Sequence, residues 1–454
     1  MIKNIKKSLK YFIIIIGIII LLPTVFYLVL QISEVQTFLV NRITEHFSNE
    51  IKSTISTGTI EYKFFNKLII NDILIKDQNN DTLIFSQKVT TGIKRIDIRN
   101  MSFRLGKVIL IKPVVAFITD SSGLMNLTWY LDLLKNPADS TNKAKTKFSI
   151  DQIDISDARF SLINNSGIRG KTLIDFNNLN ITGINGIIVD FKVQDDITTF
   201  NIYNLGFKES SGFKVNRMSS SVVLAKQNIL FNSAYLNCDS SILNISKLSL
   251  QADSSASYKK FTDEVKLDIL LEKSLINSSD LQYFIPFAKG INESVWLSGK
   301  VFGTVSELRG RNIELTYRNY TYLDCDFDFS GLPQIENAFI YIGVKSLKTN
   351  AKDVEKIKIP GKGYIIVPEV FYKLGNISFD GSFTGFITDF VTYGEIRTSQ
   401  GNIRTDISFR PEESNRYRIK GLLTGSDVDL GELTGKTELL GKLSMQTNVD
   451  GYAY

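Results

Sequence analysis

Residues 68–85 read LIINDILIKDQNNDTLIF, and the reading of this stretch decides the fold. Apolar residues crowd both ends, rich in isoleucine. Between them lies a polar hinge of Asp77, Gln78, Asn79, Asn80 and Asp81. Two short apolar runs joined by Asn and Asp predict a β-hairpin, two strands and a turn, with no catalytic group in it. Similar units recur nearly to the C-terminus.

From about Ile55 onward apolar residues recur every second position. The clearest runs are Val265, Leu267, Ile269, Leu271 and Leu323, Cys325, Phe327, Phe329. Others are Ile187, Val189, Phe191, Val193 and Ala158, Phe160, Leu162. Period two puts these side chains on one face of a sheet and the intervening Asp, Lys and Asn on the other. Turn residues separate the runs about every ten positions, so the chain from 148 to 454 is predicted to be a long antiparallel meander. A first β region, 55–135, ends in a short helix over Leu124–Lys135, and a second short helix is predicted over Leu281–Phe287. The polar stretch 136–147 between the β regions is the predicted linker. Glycines thicken toward the C-terminus and mark tight turns. The sequence stops at VDGYAY in mid-pattern, which points to the N-terminal portion of a longer chain.

The N-terminus is of another kind. Residues 1–10 carry Lys3, Lys6, Lys7 and Lys10, and Tyr11–Leu30 then runs without a charge. Twenty residues at about 1.5 Å each span the roughly 30 Å hydrocarbon core of a bilayer, and the preceding lysines predict a cytoplasmic N-terminus with the bulk across the membrane. A cleaved signal peptide would carry a shorter apolar run and small residues at the cleavage site, whereas Gln31, Ile32, Ser33 and Glu34 follow here. An uncleaved single-pass anchor is therefore expected. Next, Val35, Leu39, Ile43, Phe47 and Ile51 give residues 33–51 one apolar side of a helix, which plugs one end of the following sheet or lies on the membrane.

Composition narrows the chemistry. Of 454 residues, 43% are hydrophobic, enough for a substantial apolar layer, and Pro is scarce at 8 beside 30 Phe and 18 Tyr. The net charge of +6 is mild and leaves no nucleic-acid footprint. A single histidine, His46, removes most metal and acid–base sites, and no Walker, G-x-S-x-G, H-E-x-x-H or C-x-x-C pattern occurs. Cys238 and Cys325 allow one disulfide or two buried thiols. Asp324, Asp326 and Asp328 alternate as calcium ligands do, but Phe329 and Ile335 stand where an EF-hand loop needs glycine and glutamate. They read instead as the outward side of a strand. No catalytic residue, cofactor site or metal site is assigned, and the chain is not expected to be an enzyme.

The chain resembles the AsmA-like and TamB-like proteins of the double-membraned bacterial envelope. The likeness rests on the lysine-flanked anchor, the helix QTFLVNRITEHFS, the strand pair NDILIKDQNNDTLIFSQKVTTGI with its D-x-x-x-D-T-L turn, and the glycine-Asn-Leu helix in SSGLMNLTWYLDLL. DFNNLNITGINGIIVDF and FDGSFTGFITDFVTYGEIRTSQGNIRTDISF resemble recurring strands of the TamB-like branch. The resemblance implies an inner-membrane anchor and a periplasmic sheet curled into an elongated trough, its apolar interior carrying phospholipid acyl chains toward the outer membrane. It also implies an outer-membrane barrel assembly protein as partner, engaged through a C-terminal region missing from this sequence. In that setting Ile187, Val189, Phe191, Val193, Val265, Leu267, Ile269, Leu271, Leu323, Phe327 and Phe329 are the expected groove lining. A periplasmic scaffold for outer-membrane protein assembly, offering strand edges to clients, is the alternative. A closed, tethered β-sandwich is the third.

Overall fold

The structure, a computed structural model, describes residues 54–63, 66–97, 102–128, 147–165, 172–194, 196–285, 288–359, 363–413 and 416–453. The lysine-rich tail, the anchor 11–30, the amphipathic helix 33–51 with His46, and nearly all of the 136–147 stretch lie outside the described residues. Among the described residues no helix is long and apolar enough to cross a membrane. They are mainly β, with few short helices. Two compact units divide them, one up to Gly212 apart from Lys171–Leu173 and Asp196–Thr199, the other comprising those two pieces and the chain from Phe213 onward.

Unit 1 holds strands β1 (Ile55–Ser56), β2 (Ile60–Lys63), β3 (Lys67–Lys76), β4 (Thr82–Asp97), β5 (Ser102–Thr119), β6 (Lys147–Asn164), β7 (Asn178–Gln194) and most of β8 (Ile197–Glu209). β1 and β2 both pair with β3, and β3, β4 and β5 follow antiparallel. The stretch 68–85 is the predicted hairpin, β3 leading into β4. Its turn closes because Asn80 takes a left-handed φ of 67°, which asparagine tolerates better than most residues. The Asp77 carboxylate fixes the turn by accepting the Asn79 and Asp81 N–H groups at 2.9 and 3.0 Å.

β6 then pairs parallel to β5, with Phe103 opposite Phe148 and Val115 opposite Phe160. This corrects the expectation of a wholly antiparallel sheet. Alternation has the same period in both arrangements, so apolar pattern alone cannot tell them apart. The connection from 120 to 146 is long enough for the crossover that a parallel neighbour requires. Of the predicted helix over 124–135, residues 124–128 are described: Asn126–Thr128 are helical, whereas Leu124 is not and Met125 forms an isolated β-bridge with Thr119. Asn126 is 1% exposed and donates from Nδ2 to the Asp77 carboxylate at 2.9 Å. The hairpin turn and the start of the crossover are thereby locked together.

Unit 2 is a regular antiparallel run. Its strands are β9 (Lys214–Ala225), β10 (Asn228–Cys238), β11 (Ile242–Gln251), β12 (Lys266–Asn277), β13 (Ser294–Gly303), β14 (Glu307–Tyr317), β15 (Thr321–Ser330) and β16 (Phe339–Asn350). A two-strand ribbon, β17 (Lys358–Ile359) and β18 (Gly363–Tyr364), interrupts the run. It resumes with β19 (Asn376–Phe386), β20 (Asp389–Thr398), β21 (Gly401–Glu413), β22 (Arg416–Asp429) and β23 (Lys442–Ala453). Each strand from β9 to β16 pairs with the next, β16 pairs with β19, and the ladder continues to β23.

A short helix follows every fourth strand of this ladder: Ser278–Leu281 after β12, Ala351–Val354 after β16, Leu430–Thr434 after β22. Asn277, Asn350 and Asp429 are the N-caps, each accepting a first-turn N–H at 2.7–3.0 Å. Three residues on, a buried carboxylate of the first two helices reaches a neighbouring hairpin turn. Asp280 accepts the Ser240 N–H at 3.0 Å, and Asp353 accepts those of Tyr320 and Thr321 at 3.0 and 2.9 Å. These interlocks satisfy backbone donors that strand ends leave over. The helix predicted over 281–287 lies instead at Ser278–Leu281, sharing only Leu281 with the expectation, and 282–284 form turns. The sequence signal is the repeated N-x-x-D, Asn277 to Asp280 and Asn350 to Asp353, which hydrophobic periodicity does not register.

Candidate functional site

In a sheet, directly opposed residues share a face, so pairing register reveals what each face is made of. One line of opposed residues in unit 2 runs Leu224, Ile229, Leu250, Leu267, Gly303 and Leu308 from β9 to β14. It continues Phe329, Ile340, Gly385, Phe390, Phe409, Ile419 and Gly451 to β23. No polar side chain interrupts it across thirteen strands. A parallel line starts at Val222, Phe231, Leu248, Ile269, Val301, Gly310 and Phe327. It goes on through Ile342, Phe383, Thr392, Ile407, Gly421 and Val449, with Thr392 its one polar member. At about 4.8 Å per strand, the apolar band extends on the order of 60 Å along the hydrogen-bonding direction.

Packing under a second sheet would bury such a band almost completely, as in a sandwich core. Here only Val222, at 2% exposed, and Ile340, at 7%, are buried among its large apolar side chains. The others are half-buried, touching neighbours in their own sheet and leaving their outer atoms open. Aromatic rings strengthen the lateral contacts. Phe383, Phe390, Phe409 and Tyr417 form a run of near-parallel rings over β19 to β22, with centroids 4.7, 5.1 and 4.8 Å apart. Phe327 and Phe329 stack at 4.5 Å. Glycine makes room for them: a Cβ on Gly310 would fall 2.2 Å from the Phe327 ring, so the ring lies flat over the opposed backbone.

The reverse face of unit 2 is mixed: Leu230, Leu270, Phe302 and Tyr341 lie on it among ion pairs. Asp268 faces Lys247 and Lys300 at 2.6 and 3.5 Å. Arg311 meets Asp328 at 2.7 Å, Lys345 meets Asp326 at 2.9 Å, and Arg418 meets Asp450 at 2.9 Å. The hydrogen bond from Lys247 holds the Asp268 carboxyl below its ordinary range, and that from Arg418 does the same for Asp450. Such exposed pairs contribute little stability each, but they interrupt the apolar residues of this side at every few positions. Asp324, Asp326 and Asp328 therefore sit beside Lys345 and Arg311. Among the described residues no group of three or more His, Cys, Asp or Glu side chains is placed to hold a metal. Cys238 and Cys325 are free and buried, and burial, with Asp280 and Asp239 nearby, pushes the Cys238 thiol up to about 12.

The groove-lining residues expected from sequence fall in different places. Leu267, Ile269, Phe327 and Phe329 stand in the two long lines. Leu271 opposes Ile245 and Gly299, and Leu323 opposes Leu315 and Leu347. Val265 is fully buried just before β12, where it ends the helix Phe261–Glu264. In unit 1, Val193 and Phe191 oppose Phe148 and Ile150, while Val189 and Ile187 oppose Gln152 and Asp154. Asp154 is paired with Lys107 at 2.5 Å, so the face under Ile187 and Val189 is mixed. The continuous apolar line of unit 1 lies on the other side: Ile60, Ile70, Val89, Leu110, Ile155 and Gly186. Sequence periodicity does not single out the aromatic run of β19 to β22, whose only signal is aromatics interleaved with Gly381, Gly385 and Gly421. No protein-family model, no curated protein and no solved structure matches the chain.

Proposed function

We propose that the chain is a membrane-anchored lipid carrier of the bacterial envelope, whose sheet curls with its apolar side inward to hold phospholipid acyl chains. The observation that supports it is the thirteen-strand apolar band of unit 2, unbroken in register and only half-buried. A face of that length must find an apolar partner. Each acyl methylene taken from water gains about 0.8 kcal/mol, so a sixteen-carbon chain gains on the order of 10 kcal/mol before ordering costs. A half-open face suits such cargo, since the headgroup stays in water while the tails lie on the sheet. The reverse face, where ion pairs of Asp268 and Asp328 break up the apolar residues, suits an aqueous compartment. The anchor Tyr11–Leu30 and the resemblance of the DQNNDTL turn to TamB-like proteins support inner-membrane attachment and a periplasmic body.

Photocross-linking tests this reading at adjacent positions of β12. A benzophenone side chain at Ile269, on the apolar line, is expected to capture phospholipid in envelope preparations. The same group at Leu270, on the reverse face and 40% exposed, is expected to capture little. Equal capture at both positions would sink the proposal.

A further inference from the structure

The helix-bearing end of unit 2 carries a second apolar surface, separate from the sheet face. Ile366 is 92% exposed, Leu439 80% and Tyr364 60%, and Phe371, Tyr372 and Leu440 are each exposed by two-fifths or more. Isolated exposed apolar residues need no explanation, but a cluster of this kind marks an interaction site. These six come from two excursions of the chain, one after β16 and one after β22, that are tied to each other. Lys373 donates to the Leu433 carbonyl at 3.2 Å, linking the helix Glu369–Lys373 to the helix Leu430–Thr434. Tyr372 donates to Glu355, and Lys358 donates to the Gly290 carbonyl at 2.8 Å, which fixes the ribbon against the loop before β13. The apolar tips are thus held on a braced base and turned outward.

Charge decides what such a surface would meet. The first excursion has Lys352, Lys356, Lys358, Lys362 and Lys373 against Glu355 and Glu369. Its remaining acid, Asp353, is 7% exposed and turned inward to the β14–β15 turn. In the second excursion Lys436 stands against Glu432 and Glu438, so six lysines less four glutamates leave +2 over the two together. Lysines interspersed along the chain with exposed Ile, Phe and Tyr residues suit the headgroup boundary of an anionic bilayer, where tips enter the acyl region and ammonium groups meet phosphate. Tyrosines at the rim fit the same boundary.

We propose that this end of unit 2 docks on an anionic lipid bilayer, inserting Ile366 and Leu439. Docking does not depend on lipid carriage by the sheet face, and cross-linking at Ile269 reads that face separately.

The test uses the full chain with Ile366→Cys carrying an environment-sensitive nitrobenzoxadiazole label, held by its anchor in phosphatidylcholine nanodiscs. Cys238 and Cys325 are buried and compete little for the label. Acceptor vesicles of phosphatidylcholine containing roughly one-third phosphatidylglycerol are expected to raise the emission several-fold, with a blue shift that high salt reverses. Phosphatidylcholine vesicles alone should act weakly. In the unlabelled chain, Ile366→Ser with Leu439→Ser is expected to reduce capture of anionic vesicles about tenfold, with circular dichroism unchanged because both side chains are already in water. Unchanged emission with both vesicle types would overturn the proposal. So would undiminished capture by the double variant, or a rise that follows protein concentration without vesicles, which would assign the patch to self-association.

Discussion

Ile269→Asp is expected to lower the phospholipid carried by the chain about a hundredfold while leaving the strands of unit 2 in place. Ile269 stands between Leu248 and Val301 in an apolar line, and no cation faces it from either neighbour. A carboxylate there must keep its water, so a chain crossing β12 loses contact over about four methylenes, worth about 3 kcal/mol. The side chain is half-buried, so it can stay hydrated at modest cost to folding. Leu270→Asp is the control one residue away. It places the same charge on the reverse face, opposite Lys247 and Lys300, and should carry lipid as the parent does. Phosphate assay of organic extracts from equal amounts of purified protein reads both. Equal loss in the two variants would show that β12 has merely been destabilised.

Much of the sheet is legible in the sequence, because period-two alternation survives translation into strands almost unchanged. The run Leu267, Ile269, Leu271 lies in β12 and the run Leu323 to Phe329 in β15. Where apolar residues occupy both parities, legibility fails. β7 contains Ile187, Ile188 and Val189 in succession, so nothing local says which one faces the apolar side. Pairing decides it: Ile187 and Val189 fall opposite Asp154 and Gln152, and Ile188 opposite Ile153. Strand direction is equally hidden, since β6 would carry the same pattern beside β5 in either sense. The length of the long lines is illegible for a different reason. It depends on the β-bulges, such as those between Leu271 and Ser274 and between Gly310 and Ile313, that keep each strand in phase with the next.

The lock between Asp77 and Asn126 is the second large effect. The Asp77 carboxylate is 3% exposed and serves three donors: the Asn79 and Asp81 amides and the Asn126 side chain. Asn126 also donates to the Ala116 carbonyl at 3.2 Å and accepts the Ile118 N–H at 3.1 Å. Asp77→Ala leaves those donors without their acceptor inside the protein and is expected to cost about 3 kcal/mol in urea unfolding followed by circular dichroism. Asn126→Ala should cost a similar amount. The double variant should cost clearly less than the sum, with a coupling of at least about 1 kcal/mol, because each single change strands the other partner. Strict additivity would mean that the turn and the crossover are stabilised independently. The sequence displays both halves, the DQNNDTL turn and the GLMN segment, but only β5 running between them brings residues 77 and 126 together.

Lipid carriage by the apolar band is tested most directly by native mass spectrometry of residues 31–454, secreted into a bacterial periplasm and purified without detergent. A half-open band on the order of 60 Å long, lined by Leu, Ile and Phe, should retain more than one phospholipid per chain, and Ile269→Asp should strip most of it. A lipid-free, stable, monomeric protein would contradict carriage and mean that the apolar faces are satisfied by the protein itself.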